Sequence, residues 1–181
     1  MDKLEACVEA LRRADLRTIS QRADRMLAMS SYIEGGSFYG VDEPLVLMED
    51  ARVSYINGCF VAALISAMSS IEHMLLYEIN FQGITYFEPK KSDSISNTLE
   101  LLRLKTIGDE DLLEELGRLN SIRNAYVHPK GELHPFRRVN RAQAAGVAPS
   151  VISKQDAESA INAMYKVFDL TMKLGDLSEF K

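Results

Sequence analysis

The stretch from about Pro44 to about Asn80 constrains the fold most. Ile65, Met68, Leu75 and Ile79 recur on a heptad stripe, the pattern that one face of a helix turns toward a core. The spacing predicts one long helix, with Pro44 suited to its first turn and Asp42 and Glu43 at its positive end. Gly58, Ala62, Ser66, Ser69 and Ser70 are small enough to let another helix approach closely, either a neighbour in the same bundle or a second subunit. Glu72 interrupts the stripe where an apolar side chain belongs. It therefore needs a partner.

A second helix is predicted over Leu112 to His128. Leu112, Leu116, Leu119 and Tyr126 lie on one face, and Arg123 falls on the same stripe. A guanidinium turned toward a core is costly unless an acid or a ligand meets it. Glu72 is the candidate partner. Asn124 and His128 stand four apart on the adjoining face. Pro129 disfavours helical geometry at His128, which puts the imidazole at a helix C-terminus beside a loop.

The run Arg123-Asn124-Ala125-Tyr126-Val127-His128 resembles the RxxxxH motif of HEPN domains. The resemblance spans roughly residues 44 to 175. It implies an all-α bundle and a two-fold dimer in which two RxxxxH motifs face one cleft. It further implies a ribonuclease that needs no metal and leaves a 2',3'-cyclic phosphate and a 5'-hydroxyl. Such domains occur in toxins, defence proteins and RNA-processing factors, and many pair with nucleotidyltransferase-type antitoxins. The dimer also has a chemical argument of its own. One histidine cannot be base and acid in the same step, and two-fold symmetry supplies the second.

The remaining elements follow from periodicity and punctuation. Leu4, Val8 and Leu11, then Ile19, Ala23 and Met26, predict two helical pieces or one bent helix, ended by Gly35-Gly36. Residues 81–93 read as a loop holding Tyr86, Phe87, Lys90 and Lys91, of which Tyr86 and Phe87, near Lys90, could stack on bases or pack on the bundle. The best strand signal, GITYF, lies there and is short. Ile95, Leu99 and Leu102 mark a shorter helix, with Asn97 and Glu100 spaced like a capping box and Gly108 as its stop. Asp109 is placed to cap the helix that carries Arg123. Residues 131–152 predict a long loop whose surroundings are basic: Lys130, Arg137, Arg138 and Arg141 against Glu132 alone. Ser153 and Asp156 then open a last helix with Ala157, Ile161, Met164 and Phe168 inward and Gly175 as its end.

The expected architecture is one domain over residues 1–181: an up-and-down bundle of about five helices. Its HEPN-like core is 44–175, and residues 1–36 are a helical extension packed on it. With 46% hydrophobic and 26% charged residues, the composition is that of a folded chain. A net charge of −5 excludes a general nucleic-acid coat while leaving room for local basic patches. Cys7 and Cys59 are too far apart in sequence for a metal cluster or a disulfide framework, so reduced thiols in a cytoplasmic protein are expected. The first fifteen residues lack the apolar centre of a signal peptide, and the apolar run Cys59 to Ile65 is short of the ~20 residues that span a bilayer. No membrane association is expected.

Two assignments of the motif are open. In the chemical one, His128 moves protons, Arg123 meets the phosphate, Asn124 orients the imidazole or the substrate, and Glu72 supports Arg123. Lys130, Arg137, Arg138 and Arg141 then hold the RNA backbone. In the structural one, Arg123 and Glu72 pin two helices, Asn124 is solvated and His128 only ends a helix. His73 has Tyr77, not a ligand, four residues on, so no metal site is expected there. His134 lies among the basic residues, where it could touch a phosphate. No cofactor is expected.

Overall fold

The computed structural model describes residues 2–32, 42–81, 83, 94–105 and 107–175, with only the backbone at 81 and 173–175. The described residues form seven helices and no strand: α1 (Lys3–Ser30), α2 (Glu43–Ile56), α3 (Phe60–Phe81), α4 (Ile95–Leu104), α5 (Glu110–Val127), α6 (Arg138–Ala145) and α7 (Pro149–Gly175). Tyr86, Phe87, Lys90, Lys91 and nearly all of GITYF lie outside the described residues, as do Gly35 and Gly36.

The long helix expected from Pro44 to Asn80 is two helices. Gly58 sits at φ +79°, a conformation glycine adopts without strain. Its N–H donates to the Tyr55 carbonyl at 2.9 Å, and that of Cys59 donates to the Ser54 carbonyl at 2.8 Å. This pair of bonds is a Schellman stop. Gly58 therefore makes a turn, where a close helix contact was expected. The buried Ser70 hydroxyl donates to the Pro44 carbonyl at 2.8 Å, which places the middle of α3 beside the start of α2. The two helices form an antiparallel hairpin.

α3 packs against α2 and α7, α5 packs against α3, α4 and α7, and α6 lies on α7. The core they share contains Leu64, Met68, Ile71 and Leu75 of α3, Leu113, Leu116, Leu119 and Ile122 of α5, and Ile161, Met164 and Val167 of α7. Leu113 and Ile122 sit deeper than the expected Leu112, which is half-buried, and Ile65 is likewise half-buried. Of the small residues expected at a helix contact only Ser70 is fully buried, and Ala62 is exposed. Ala63 and Ala67 of α3, with Ala157, Ala160 and Ala163 of α7, are buried instead and allow the close approach of these two helices. The stretch Phe60–Asn80 is long and apolar enough to cross a membrane by composition alone. Here its apolar face is spent on the bundle core.

Local chemistry fixes the ends. Asp2 and Glu5 form a reciprocal capping box that starts α1 as a single helix. Met29 is its one buried residue, while Leu4, Leu11, Leu16 and Leu27 are exposed. α1 reaches the hairpin near its C-terminus, where Arg25 Nε donates to the Ile56 carbonyl at 2.8 Å and the guanidinium lies over the Phe60 ring. Ser94, not Asn97, caps α4. Asp109 caps α5 as expected. The expected loop 131–152 contains α6, which Gly146 ends in a left-handed conformation. α7 begins at Pro149, a favoured first residue, so Ser153 and Asp156 stand inside the helix and are buried.

Candidate active site

Three helices meet around Arg123. The apolar residues of α5 turn that side chain toward α3, where Glu72 accepts from Arg123 Nη1 at 3.0 Å. The pair is largely withdrawn from solvent, with 20% of the Arg123 side chain and 27% of the Glu72 side chain exposed. The other Glu72 oxygen accepts the Ile95 N–H at 3.0 Å. A carboxylate there also stabilises the positive end of α4. Arg123 Nη2 donates to Asn124 Oδ1 at 3.3 Å. The expected pair thus forms, and it extends into a chain of Ile95, Glu72, Arg123 and Asn124.

His128 occupies the C-cap of α5 with extended backbone, φ −114° and ψ 135°. Its N–H donates to the Asn124 carbonyl at 3.0 Å. Its side chain is exposed and makes no hydrogen bond among the described residues. Asn124 serves His128 through its backbone, while its side-chain oxygen serves Arg123. The structure therefore brings Glu72, Arg123 and Asn124 together and leaves the His128 side chain exposed at the helix end.

The basic residues separate into two groups. Arg141 is held by both oxygens of Asp156, with Nη1 to Oδ1 and Nη2 to Oδ2 each 2.6 Å. The Asp156 side chain is only 5% exposed. Hydrogen bonding to Asp156 raises the guanidinium above its ordinary range, against the opposing effect of burial. Arg141 is an internal strut. Arg138 Nη1 donates to Ser153 Oγ at 3.3 Å, Arg137 is the N-cap of α6, and Lys130 follows Pro129 just beyond α5. Arg137, Arg138, Ala125, Tyr126 and Val139 line an open cavity of about 260 Å³ beside the last turn of α5.

Sequence reasoning missed Asp156 and the polar role of Tyr126. The Tyr126 hydroxyl donates to Asp156 Oδ2 at 2.9 Å and lies 3.2 Å from Ser153 Oγ. Burial holds this hydroxyl above its ordinary range; the Ser153 bond works against that and Asp156 adds to it. A signal was present: Asp156 adjoins the apolar stripe of its helix much as Arg123 joins that of α5. His134 Nδ1 accepts the Phe136 N–H at 3.3 Å, and His73 is exposed beside Tyr77. No group of metal-ligating residues occurs among the described residues. A larger cavity of about 480 Å³ opens at the other end of the antiparallel α5–α7 pair, where Asp109, Asp111, Glu115 and Asp169 outnumber Lys166. Its charge repels a polyanion.

No family model, curated protein or solved structure matches this chain.

Proposed function

We propose that the chain is a HEPN-type endoribonuclease, metal-independent and cytoplasmic, with a toxin, defence or RNA-processing role. It works as a homodimer whose cleft receives one RxxxxH motif from each protomer. The observation that carries this reading is the end of α5: Arg123 is braced by Glu72 at 3.0 Å one and a half turns before an exposed His128 that has no side-chain partner among the described residues. Cleavage of RNA by its own 2'-hydroxyl needs a base, an acid and positive charge at the crowded phosphate. His128 of one protomer removes the hydroxyl proton, the second copy protonates the 5'-oxygen, and the Arg123 pair faces the phosphate. The products are a 2',3'-cyclic phosphate and a 5'-hydroxyl.

The experiment is cleavage of single-stranded RNA in EDTA, with an all-DNA copy of the strand as control. RNA is cut and DNA is not, since only RNA carries the nucleophile. A requirement for added Mg²⁺ overturns the mechanism. A purified dimer of one wild-type and one His128→Ala chain is nearly inactive, because proton transfer contributes roughly 10²- to 10⁴-fold. Half the wild-type rate would show independent sites.

A second reading is a non-catalytic HEPN-like RNA-binding or interaction module, partnered with a nucleotidyltransferase-type antitoxin. Two donors of Arg123 already satisfied by Glu72 and Asn124 favour it, as does the net charge of −5. Wild-type protein that cuts no RNA offered to it would select this reading.

A further inference from the structure

Arg137 and Arg138 stand on the wall of the 260 Å³ cavity without a carboxylate to neutralise them among the described residues. Arg137 makes no side-chain hydrogen bond among those residues, and Arg138 gives one N–H to Ser153 Oγ. Asp156, the acid of this region, has both oxygens taken by Arg141. The same network fixes the wall. Ser153 Oγ meets Arg138 at 3.3 Å and the Tyr126 hydroxyl at 3.2 Å, which ties the start of α6 to the last turn of α5 through α7. The other lining groups are Ala125, Val139 and Tyr126. Two guanidiniums beside an aromatic ring and aliphatic carbons match a phosphate joined to a ribose or base. Ala125 is three residues before His128 on α5, within about one helical turn, ~5.4 Å along the axis.

We propose that this cavity is a second phosphate site, in which Arg137 and Arg138 hold the RNA phosphodiester next to the one presented to His128. Val139 and the Tyr126 ring receive the attached ribose or base. The role given to the bound phosphate rests on the ribonuclease reading. The site itself does not. It makes the substrate a strand with at least two consecutive phosphodiesters, and it assigns no phosphate to Arg141, whose charge Asp156 already neutralises.

The test uses the full chain and uncleavable 2'-O-methyl oligonucleotides without terminal phosphates: a dinucleotide with one phosphodiester and a trinucleotide with two. Inorganic phosphate and an oligoglutamate peptide are competitors. The wild type binds the trinucleotide about tenfold more tightly than the dinucleotide, as expected for one added charge-assisted interaction. Arg137→Gln/Arg138→Gln removes that gain and lowers the log–log salt slope by roughly 0.7 for each phosphate that is no longer neutralised. Arg137→Gln alone, which breaks no side-chain hydrogen bond among the described residues, shows part of the loss at an unchanged melting temperature. A trinucleotide gain that persists in the double variant overturns the site, and so does displacement by oligoglutamate as effective as by the trinucleotide. A chain that cuts RNA yet binds both oligonucleotides equally keeps the ribonuclease reading and loses this site. A chain that never cuts RNA but shows the arginine-dependent gain keeps the site and loses the ribonuclease reading.

Discussion

Arg123 and Arg141 each reach from one helix to a carboxylate on another, yet the two pairs are built differently. Arg123 gives Glu72 one hydrogen bond at 3.0 Å, and 27% of the Glu72 side chain stays exposed. Arg141 gives Asp156 two at 2.6 Å, and 5% of the Asp156 side chain is exposed. The remaining Asp156 capacity goes to Tyr126, whereas the second Glu72 oxygen caps α4. Arg141 is neutralised by a carboxylate that is itself withdrawn from water, and the Arg141 Nε is buried without a partner among the described residues. Arg123, whose side chain is equally exposed at 20%, divides its two hydrogen bonds between a more open carboxylate and the Asn124 amide oxygen. The denticity of the pair and the burial of the acid, not of the arginine, therefore separate the two, although both arginines are exposed to the same extent.

The largest expected effect comes from Asp156→Ala. It leaves Arg141, whose Nε is already buried without a partner among the described residues, without its acid as well, which typically costs ~3–5 kcal/mol. Urea unfolding measures it. Replacing both partners, as Asp156→Leu with Arg141→Met, recovers much of that loss because no orphaned charge remains. A single-variant loss under ~1 kcal/mol would mean that water already compensates this pair and that the contrast with Glu72 is false.

Glu72→Ala comes next, at about 1–3 kcal/mol, because water can partly solvate the freed guanidinium while the Ile95 N–H loses its acceptor. Glu114 is exposed on α5, and Glu114→Ala stays within about 0.5 kcal/mol of wild type. Equal melting temperatures for these two variants would remove the argument that Glu72 ties three helices together.

The contrast also explains what could be seen in the chain itself. Arg123 and Glu72 each break an apolar stripe inside a helix whose period is long and clear, so their pairing is a local inference from spacing. Asp156 breaks a stripe too, but Pro149 as a helix start is outweighed by Ser153 and Asp156, which resemble a cap. An acid assigned to a helix start is expected to be solvated. Arg141 groups with its neighbours by charge, and the helix-forming run Val139 to Ala145 is obscured by Pro135, Gly146 and Pro149 around it. Gly58 shows the opposite error. Asn57-Gly58 is a stop signal, but apolar periodicity on both sides makes the hairpin look continuous. Periodicity locates helices, while their ends depend on single residues and on contacts with helices distant in sequence.

Tyr126→Phe tests the Asp156 side of the comparison more gently. It removes a hydrogen bond to a charged acceptor, worth about 1.5–3 kcal/mol, although water reaching Asp156 recovers part of this. Burial raises the folded Tyr126 hydroxyl above the ~10 of an unfolded tyrosine. A raised folded value means that its contribution is fully present below pH ~10 and declines as pH rises through the folded value. The stability gap between wild type and Tyr126→Phe therefore narrows from about pH 10 upward. The tyrosines common to both proteins cancel. A gap that widens in alkali would mean that the hydroxyl ionises more readily in the folded chain.

The smallest effect belongs to a pair that isolates burial from geometry. Arg118 grips Glu115 with two hydrogen bonds, at 2.8 and 2.9 Å, so it shares the two-toothed form of Arg141 and Asp156. Both residues lie on α5, however, and 45% of the Arg118 side chain and 35% of the Glu115 side chain are exposed. Solvent screening should reduce their coupling to about 0.3–0.5 kcal/mol in a double-mutant cycle of Glu115→Ala and Arg118→Ala. The hydrogen bond from Arg118 holds the Glu115 carboxyl below the usual carboxylate range, against burial. A lowered folded value contributes stability above the unfolded value of ~4.3, and that stability is lost as pH falls through the folded one. The coupling should accordingly be constant near neutrality, fade in acid, and weaken in salt at every pH. If the cycle instead returned several kcal/mol, two-toothed geometry alone would account for the strength assigned to Arg141 and Asp156. Burial would then no longer distinguish the strut from the pair at Arg123.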